Sequence, residues 1–170
     1  AAPRPSSCFT RRSSPPAAAA ASAFWHNSSP QATRPFTSGN RATCAGVRLG
    51  LENLGKENPD LVRAMHGLAV GMGAGEICGA LTGGAALLGL YAGKGRGDEM
   101  EDPRLNTMLQ ALVAWFHETY GVPFGGIRCA EILGDDPQNQ ARCGQMVRGI
   151  YERVTALLVE NGFDLYGLDA

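Results

Sequence analysis

No two cysteines in this 170-residue chain are spaced C-x-x-C, and five cysteines at this length are too few for a disulfide scaffold. Acidic residues are missing altogether from residues 1–42, so the five arginines there are unopposed and the overall net charge of −1 conceals an asymmetry. With those five of the 15 basic residues set aside, ten face all 16 acidic ones from residue 43 onward, a net of −6. A mildly acidic segment with no basic stripe argues against nucleic-acid binding. Long apolar runs are missing too. The longest, Ala85 to Ala92, suits a buried helix and falls well short of a membrane span. Nowhere does the pattern alternate for long enough to make a strand. The expected class is therefore all-α: a small bundle of five to six helices.

What is present divides in two. Residues 1–42 are built from Ala, Pro, Ser, Thr and Arg, with an alanine run from Ala17 to Ala21, and have almost nothing to bury. This tail is read as disordered. Its composition resembles an organellar transit peptide. Arg11-Arg12 suggests a twin-arginine export signal, but Ser13-Ser14-Pro15-Pro16 and a weak apolar segment spoil it. An over-extended gene start without function is preferred, with the cytoplasm as the expected location. Cys8 and His26 fall in this tail and are set aside. The helical domain spans residues 43–170.

That domain is organised around Met65 to Gly84, where glycines crowd around Cys78. Gly71, Gly73 and Gly75 are irregular and read as a loop with positive-φ positions. Gly75, Gly79 and Gly83 fall four apart, a backbone-thin helix face that lets another backbone approach and leaves a homodimer open. The central helix is expected over about Ile77 to Tyr91, apolar nearly all round, with Glu76 and Cys78 in its first turn. The helix dipole and open N–H groups there should lower the thiol pKa, unless Cys78 is simply a small buried hydrophobe in a tight helix contact.

Around this helix the punctuation is clear. A first helix carries Cys44, Val47, Leu51 and Leu54 and ends at Gly55. Asn58-Pro59 caps a second, with Leu61, Val62 and Met65. Asp102-Pro103 opens a helix with Leu105, Met108, Leu112, Trp115 and Phe116, expected to stop at Gly121. A short helix follows over Ile127–Leu133, then a last one from near Cys143 to Gly162. Gly93 to Asp102 is a surface loop. Its Gly-Lys-Gly-Arg-Gly lacks the strand and the G-x-x-x-x-G-K-[ST] order of a phosphate loop.

Cys44, Cys78, Cys129 and Cys143 each fall at a predicted helix start. Gathered together, such ends would form a pocket of activated thiols suited to metal binding, cluster binding or disulfide exchange. Their separations of 33, 50 and 13 intervening residues match no short zinc or ferredoxin signature. His66 precedes the glycine loop and reads as a hydrogen-bonded structural histidine that could reach a site there. His117 reads as a surface residue. Trp115, Phe116 and Tyr120 read as packing rather than a stacking platform, and no residue order supports a Cys-His-Asp catalytic constellation.

Cys78-Gly79-Ala80-Leu81-Thr82-Gly83, after its Gly-rich loop, resembles the motif of the C_GCAxxG_C_C family, a redox-active family named for four cysteines. Thr43-Cys44-Ala45 looks like that family's Asn-Cys-Ala helix start, with Thr for Asn. Ile127-Arg128-Cys129-Ala130-Glu131-Ile132-Leu133-Gly134 looks like its third-cysteine segment, and Cys143 takes the fourth place. The resemblance covers about residues 43–160. It implies a small helical redox or iron–sulfur protein, similar to part of the split-Soret cytochromes, whose equivalent cysteines suggest an iron–sulfur centre. Without C-x-x-C-H, covalent c-type haem is not implied. The expectation that follows is an electron-transfer protein, with a redox partner of unknown identity, holding a [2Fe–2S]-type cluster on Cys44, Cys78, Cys129 and Cys143. Gly73, Gly75, Glu76 and Gly79 would surround it, the loop amides donating to its sulfurs. The alternatives are a metal-free thiol–disulfide protein, or a structural or interaction module closed by zinc.

Overall fold

The computed structural model describes residues 42–167; the expectations for the tail, Cys8 and His26 included, lie outside the described residues. The chain is all-α. Among the described residues six α-helices of five residues or more carry the core, and an isolated antiparallel bridge joins Ile77 to Arg128.

Helix α1 (Ala42–Asn53) runs into Gly55, whose φ of 62° turns the chain. Helix α2 (Pro59–Met65) starts as its sequence demands: the Asn58 side chain accepts from the Leu61 amide at 2.9 Å, and Pro59 lacks an N–H where none is needed. A 3-10 turn, His66–Leu68, follows it. The chain then makes a left-handed turn through Val70, Gly71, Met72 and Gly73, with φ of 55°, 59°, 59° and 73°. The positive-φ loop is as expected, but it also recruits Val70 and Met72, which gain nothing from that conformation. The Glu76 amide closes the turn on the Gly71 carbonyl at 3.1 Å.

Helix α3 (Gly79–Ala92) is the central element, with Ala80, Leu81, Leu87 and Leu88 buried. It begins later than the expected Ile77. Ile77 pairs with Arg128, the Cys78 amide donates to the Ile127 carbonyl at 3.0 Å, and the Cys129 amide donates to the Glu76 carbonyl. These bonds hold residues 76 and 77 out of the helix, so Glu76 precedes it and Cys78 is its N-cap. The thin face is used within the chain. A Cβ on Gly83 would lie 2.5 Å from the Thr43 carbonyl oxygen of α1, and one on Gly79 would lie 2.5 Å from Thr43 Oγ1.

Helix α4 (Leu105–Phe116) buries Leu105, Met108, Leu112 and Phe116 at three- and four-residue spacing. Gly121 does not stop it. The chain passes through a wide π-type turn, His117–Gly121, and keeps helical form over Val122–Phe124 until Gly125, at φ 80°. Pro123 lacks an N–H, and a widened turn before it accommodates that gap. Gly121 is buried, where a Cβ would press on Ile127 Cγ2 at 3.2 Å. Helix α5 (Cys129–Leu133) is shorter than expected, because Ile127 and Arg128 are held by the bridge. A 3-10 turn, Pro137–Gln140, leads into α6 (Ala141–Glu160). Its buried stripe of Met146, Val147, Ile150, Tyr151, Val154, Leu157 and Leu158 closes the core against α3 and α4. Among the described residues no helix is long and apolar enough to cross a membrane.

Candidate thiol site

All four expected cysteines do stand at helix starts. Cys44 is the third residue of α1, Cys78 the N-cap of α3, Cys129 the first residue of α5 and Cys143 the third of α6. All four are thiols rather than halves of disulfides. Cys44, Cys78 and Cys129 are buried, with 2%, 5% and 7% of their surface exposed, while Cys143 is partly open.

The expected lowering of the thiol pKa is not found. Burial pushes the Cys78 thiol up, and the Ala80 and Leu81 N–H groups in the open first turn of α3 oppose that less strongly, without closing a cap hydrogen bond. Cys129 is raised by burial and then by the neighbouring charge of Cys78. Cys143 is raised by burial and then by the charges of Cys78 and Cys129. The physical reason is that a helix N-terminus favours a thiolate only while water or a cation shares the task. In a closed apolar setting the loss of hydration dominates.

The same effects divide the thiols into two groups. Cys78, Cys129 and Cys143 lie within electrostatic reach of one another. Cys44 packs in a second buried cluster with Val47, Leu51 and Met65, its Sγ 3.4 Å from His66 Nδ1 and 3.8 Å from the Val62 carbonyl oxygen. The other expected site residues are spread around the loop. Gly73 is exposed at its tip, and Gly75, at φ 74°, lies against Ala130 of α5. Glu76 pairs with Arg128 across the bridge, and Gly79 lies against Thr43. His117 is exposed in the wide turn. Reading the sequence missed Arg128, although a basic residue directly before Cys129 and an acid two before Cys78 offered a charge match. It also understated Tyr120. This ring packs on Phe116 and edge-on to Trp115, and its hydroxyl pKa is raised by burial, then by Glu152 and Cys78.

The model of the family described as "Putative redox-active protein (C_GCAxxG_C_C)" matches residues 43–157, a span that includes all four cysteines. The chain belongs to this family. No curated protein and no solved structure matches it. As a C_GCAxxG_C_C protein it could be asked to hold a cluster on four thiolates around one centre. The arrangement does not fit that demand as folded: Cys44 faces Val62 and His66, and among the described residues no three Cys, His, Asp or Glu side chains converge on a metal position.

Proposed function

We propose that this C_GCAxxG_C_C protein performs its redox chemistry as thiol–disulfide exchange among Cys78, Cys129 and Cys143. One observation carries the reading: three thiols stand at three separate helix starts, and the charge of Cys78 raises the pKa of both Cys129 and Cys143. The co-substrate is a disulfide, on a partner protein or a small thiol compound.

Cys143 is the entry thiol, because it is the most open of the three. As a thiolate it attacks one sulfur of the substrate disulfide. That S–S bond breaks, a mixed disulfide forms, and the other substrate sulfur leaves as a thiolate and takes up a proton. A second cysteine, Cys78 or Cys129, loses its proton and attacks the Cys143 sulfur, releasing the remaining substrate thiol. The protein ends with one disulfide, and the substrate has gained two electrons and two protons. Raised pKa values keep the resting thiols protonated and slow until a partner meets Cys143.

The rival reading is the [2Fe–2S]-type cluster on Cys44, Cys78, Cys129 and Cys143. Its support is the pair of first-turn amides, of Ala80 and Leu81, turned toward Cys78 as donors for a cluster sulfur. The deciding measurement is iron and acid-labile sulfide content, with a visible spectrum and thiol titration, on protein purified without air. The exchange reading expects neither iron nor sulfide, and two thiols lost reversibly on incubation with a disulfide. Iron and sulfide near two each, with a reducible visible band, would replace it with the cluster. Zinc held by all four cysteines, with unfolding on chelation, would instead favour a structural module.

A further inference from the structure

We propose that Cys44, His66 and the Val62 carbonyl form a separate binding site for a borderline divalent cation of the zinc kind. The site is distinct from the three exchanging thiols and does not depend on their chemistry.

Three donor atoms of different kinds converge here. Cys44 Sγ lies 3.4 Å from His66 Nδ1, His66 Nδ1 lies 3.0 Å from the Val62 carbonyl oxygen, and that oxygen lies 3.8 Å from Cys44 Sγ. Zinc takes sulfur at about 2.3 Å and nitrogen or oxygen at about 2.1 Å, so tetrahedral angles set such donors roughly 3.4–3.6 Å apart. The observed triangle needs only small adjustments to become one face of that shell. A mixed sulfur, nitrogen and oxygen set suits a borderline cation better than a hard ion such as magnesium or calcium.

The backbone supports the same reading. Val62 belongs to α2 and His66 follows its last residue. In a continuing α-helix the His66 amide would bond the Val62 carbonyl, but it turns to the carbonyls of Arg63 and Ala64 instead. The Val62 oxygen is therefore released from the helix ladder at its C-terminal, electronegative end, where a cation is favoured. Without metal, protons occupy the triangle, since both the thiol and the ring nitrogen can donate to that oxygen. On binding, Cys44 gives up its proton to solvent and the His66 ring proton moves to Nε2, for a net release of one proton. His66 is exposed, which leaves the remaining coordination position open to water, while buried Cys44 anchors the inner side.

The test is anaerobic titration of the full chain with Co²⁺, a spectroscopic stand-in for zinc, followed by displacement with Zn²⁺. The expected result is one equivalent of Co²⁺ with thiolate-to-cobalt charge-transfer absorption. This band should be lost in His66→Phe and in Cys44→Ser, kept in Cys78→Ser, and removed by Zn²⁺. His66→Phe alters an exposed ring, so an unchanged far-UV circular dichroism spectrum separates lost binding from lost fold, even where Cys44→Ser misfolds. No thiolate band in the unaltered chain overturns the proposal. So does a band that survives in a folded His66→Phe, or one that Cys78→Ser abolishes as fully as Cys44→Ser.

Discussion

Cys78 and Cys129 directly follow the two partners of the isolated bridge, Ile77 and Arg128, and each sends its backbone N–H across it. Cys78 donates to the Ile127 carbonyl and Cys129 to the Glu76 carbonyl. Two helices, α3 and α5, therefore begin from one small clamp, and the thiol of each sits at that beginning. The 50 residues between these cysteines in sequence conceal a direct structural link.

Because Cys78, Cys129 and Cys143 are all raised from the ordinary value of 9.0, the neutral thiol is the form that the fold accommodates. Their contribution to stability is fully present below that value and is lost as pH rises through the folded-state pKa values. Tyr91, pushed up to about 12 chiefly by burial, acts in the same direction. Urea unfolding under reductant should thus give lower stability at pH 10 than at pH 7.5. Equal stabilities at the two pH values would contradict the burial account.

The glycines of α3 are not equivalent. Gly83→Ala would drive a methyl group against the Thr43 carbonyl, whereas a Cβ on Gly89 meets nothing within 4 Å. Overpacking costs about 1–3 kcal/mol, so Gly83→Ala should lower stability by that order. Gly89→Ala should raise it by about 0.5–1 kcal/mol, the helix preference of alanine over glycine. Matched thermal or denaturant melts of the two variants read the difference. A destabilised Gly89→Ala would show that the open space is illusory.

Val70 and Met72 sit in left-handed conformation with exposed side chains, so removing the side chain should cost little packing. Each such L residue costs roughly 1–2 kcal/mol. Val70→Gly, and separately Met72→Gly, should therefore leave stability unchanged or increase it by up to about 1 kcal/mol, once the entropy of glycine in the unfolded chain is counted. A loss of 2 kcal/mol in either would mean that the side chain is needed where it stands.

Asn58 is the side-chain cap of α2, the helix that carries Val62 up to His66. Asn58→Ala should lower stability by about 1 kcal/mol. The cobalt affinity at Cys44 and His66 should fall with it, because the Val62 carbonyl depends on that helix. Hydrogen exchange of α2 amides would locate the loss, and unchanged exchange there would assign it elsewhere.

Much of this arrangement was legible from local chemistry. Asn58-Pro59 announced a helix start, Gly55 and Gly162 marked helix ends, and the apolar spacing of Leu105, Met108, Leu112 and Phe116 gave the buried face of α4. The placement of all four cysteines at helix starts was also readable, since caps and periodicity are properties of short windows. Hidden were effects that join distant segments. No window contains both Ile77 and Arg128, so the delayed start of α3 and the shortened α5 had no local sign. Burial, which sets the sign of the thiol shifts, depends on how all six helices pack. Gly121 misled because a glycine after an apolar run usually ends a helix, whereas here its small size serves close packing against Ile127 and His117.

Helix α5 has five residues, too few to hold helical form in isolation. Its start is tied down by the bridge. Its last carbonyls are taken by the segment that follows it, where Asn139 Nδ2 donates to the Leu133 oxygen at 2.6 Å and Arg142 Nη1, in the first turn of α6, to the Ile132 oxygen at 2.7 Å. The consequence concerns order of assembly. A chain emerging from the ribosome can pack α1 against α3, and so seat Cys44, well before Cys129 has a fixed place. The three thiols of the proposed exchange are then brought together only when the first turn of α6 docks. Early oxidation would meet scattered thiols rather than a formed site. In pulse-labelling exchange during refolding, the α5 amides should gain protection together with the first turn of α6 and after α3; simultaneous protection of α3 and α5 would remove the basis for this sequence of events.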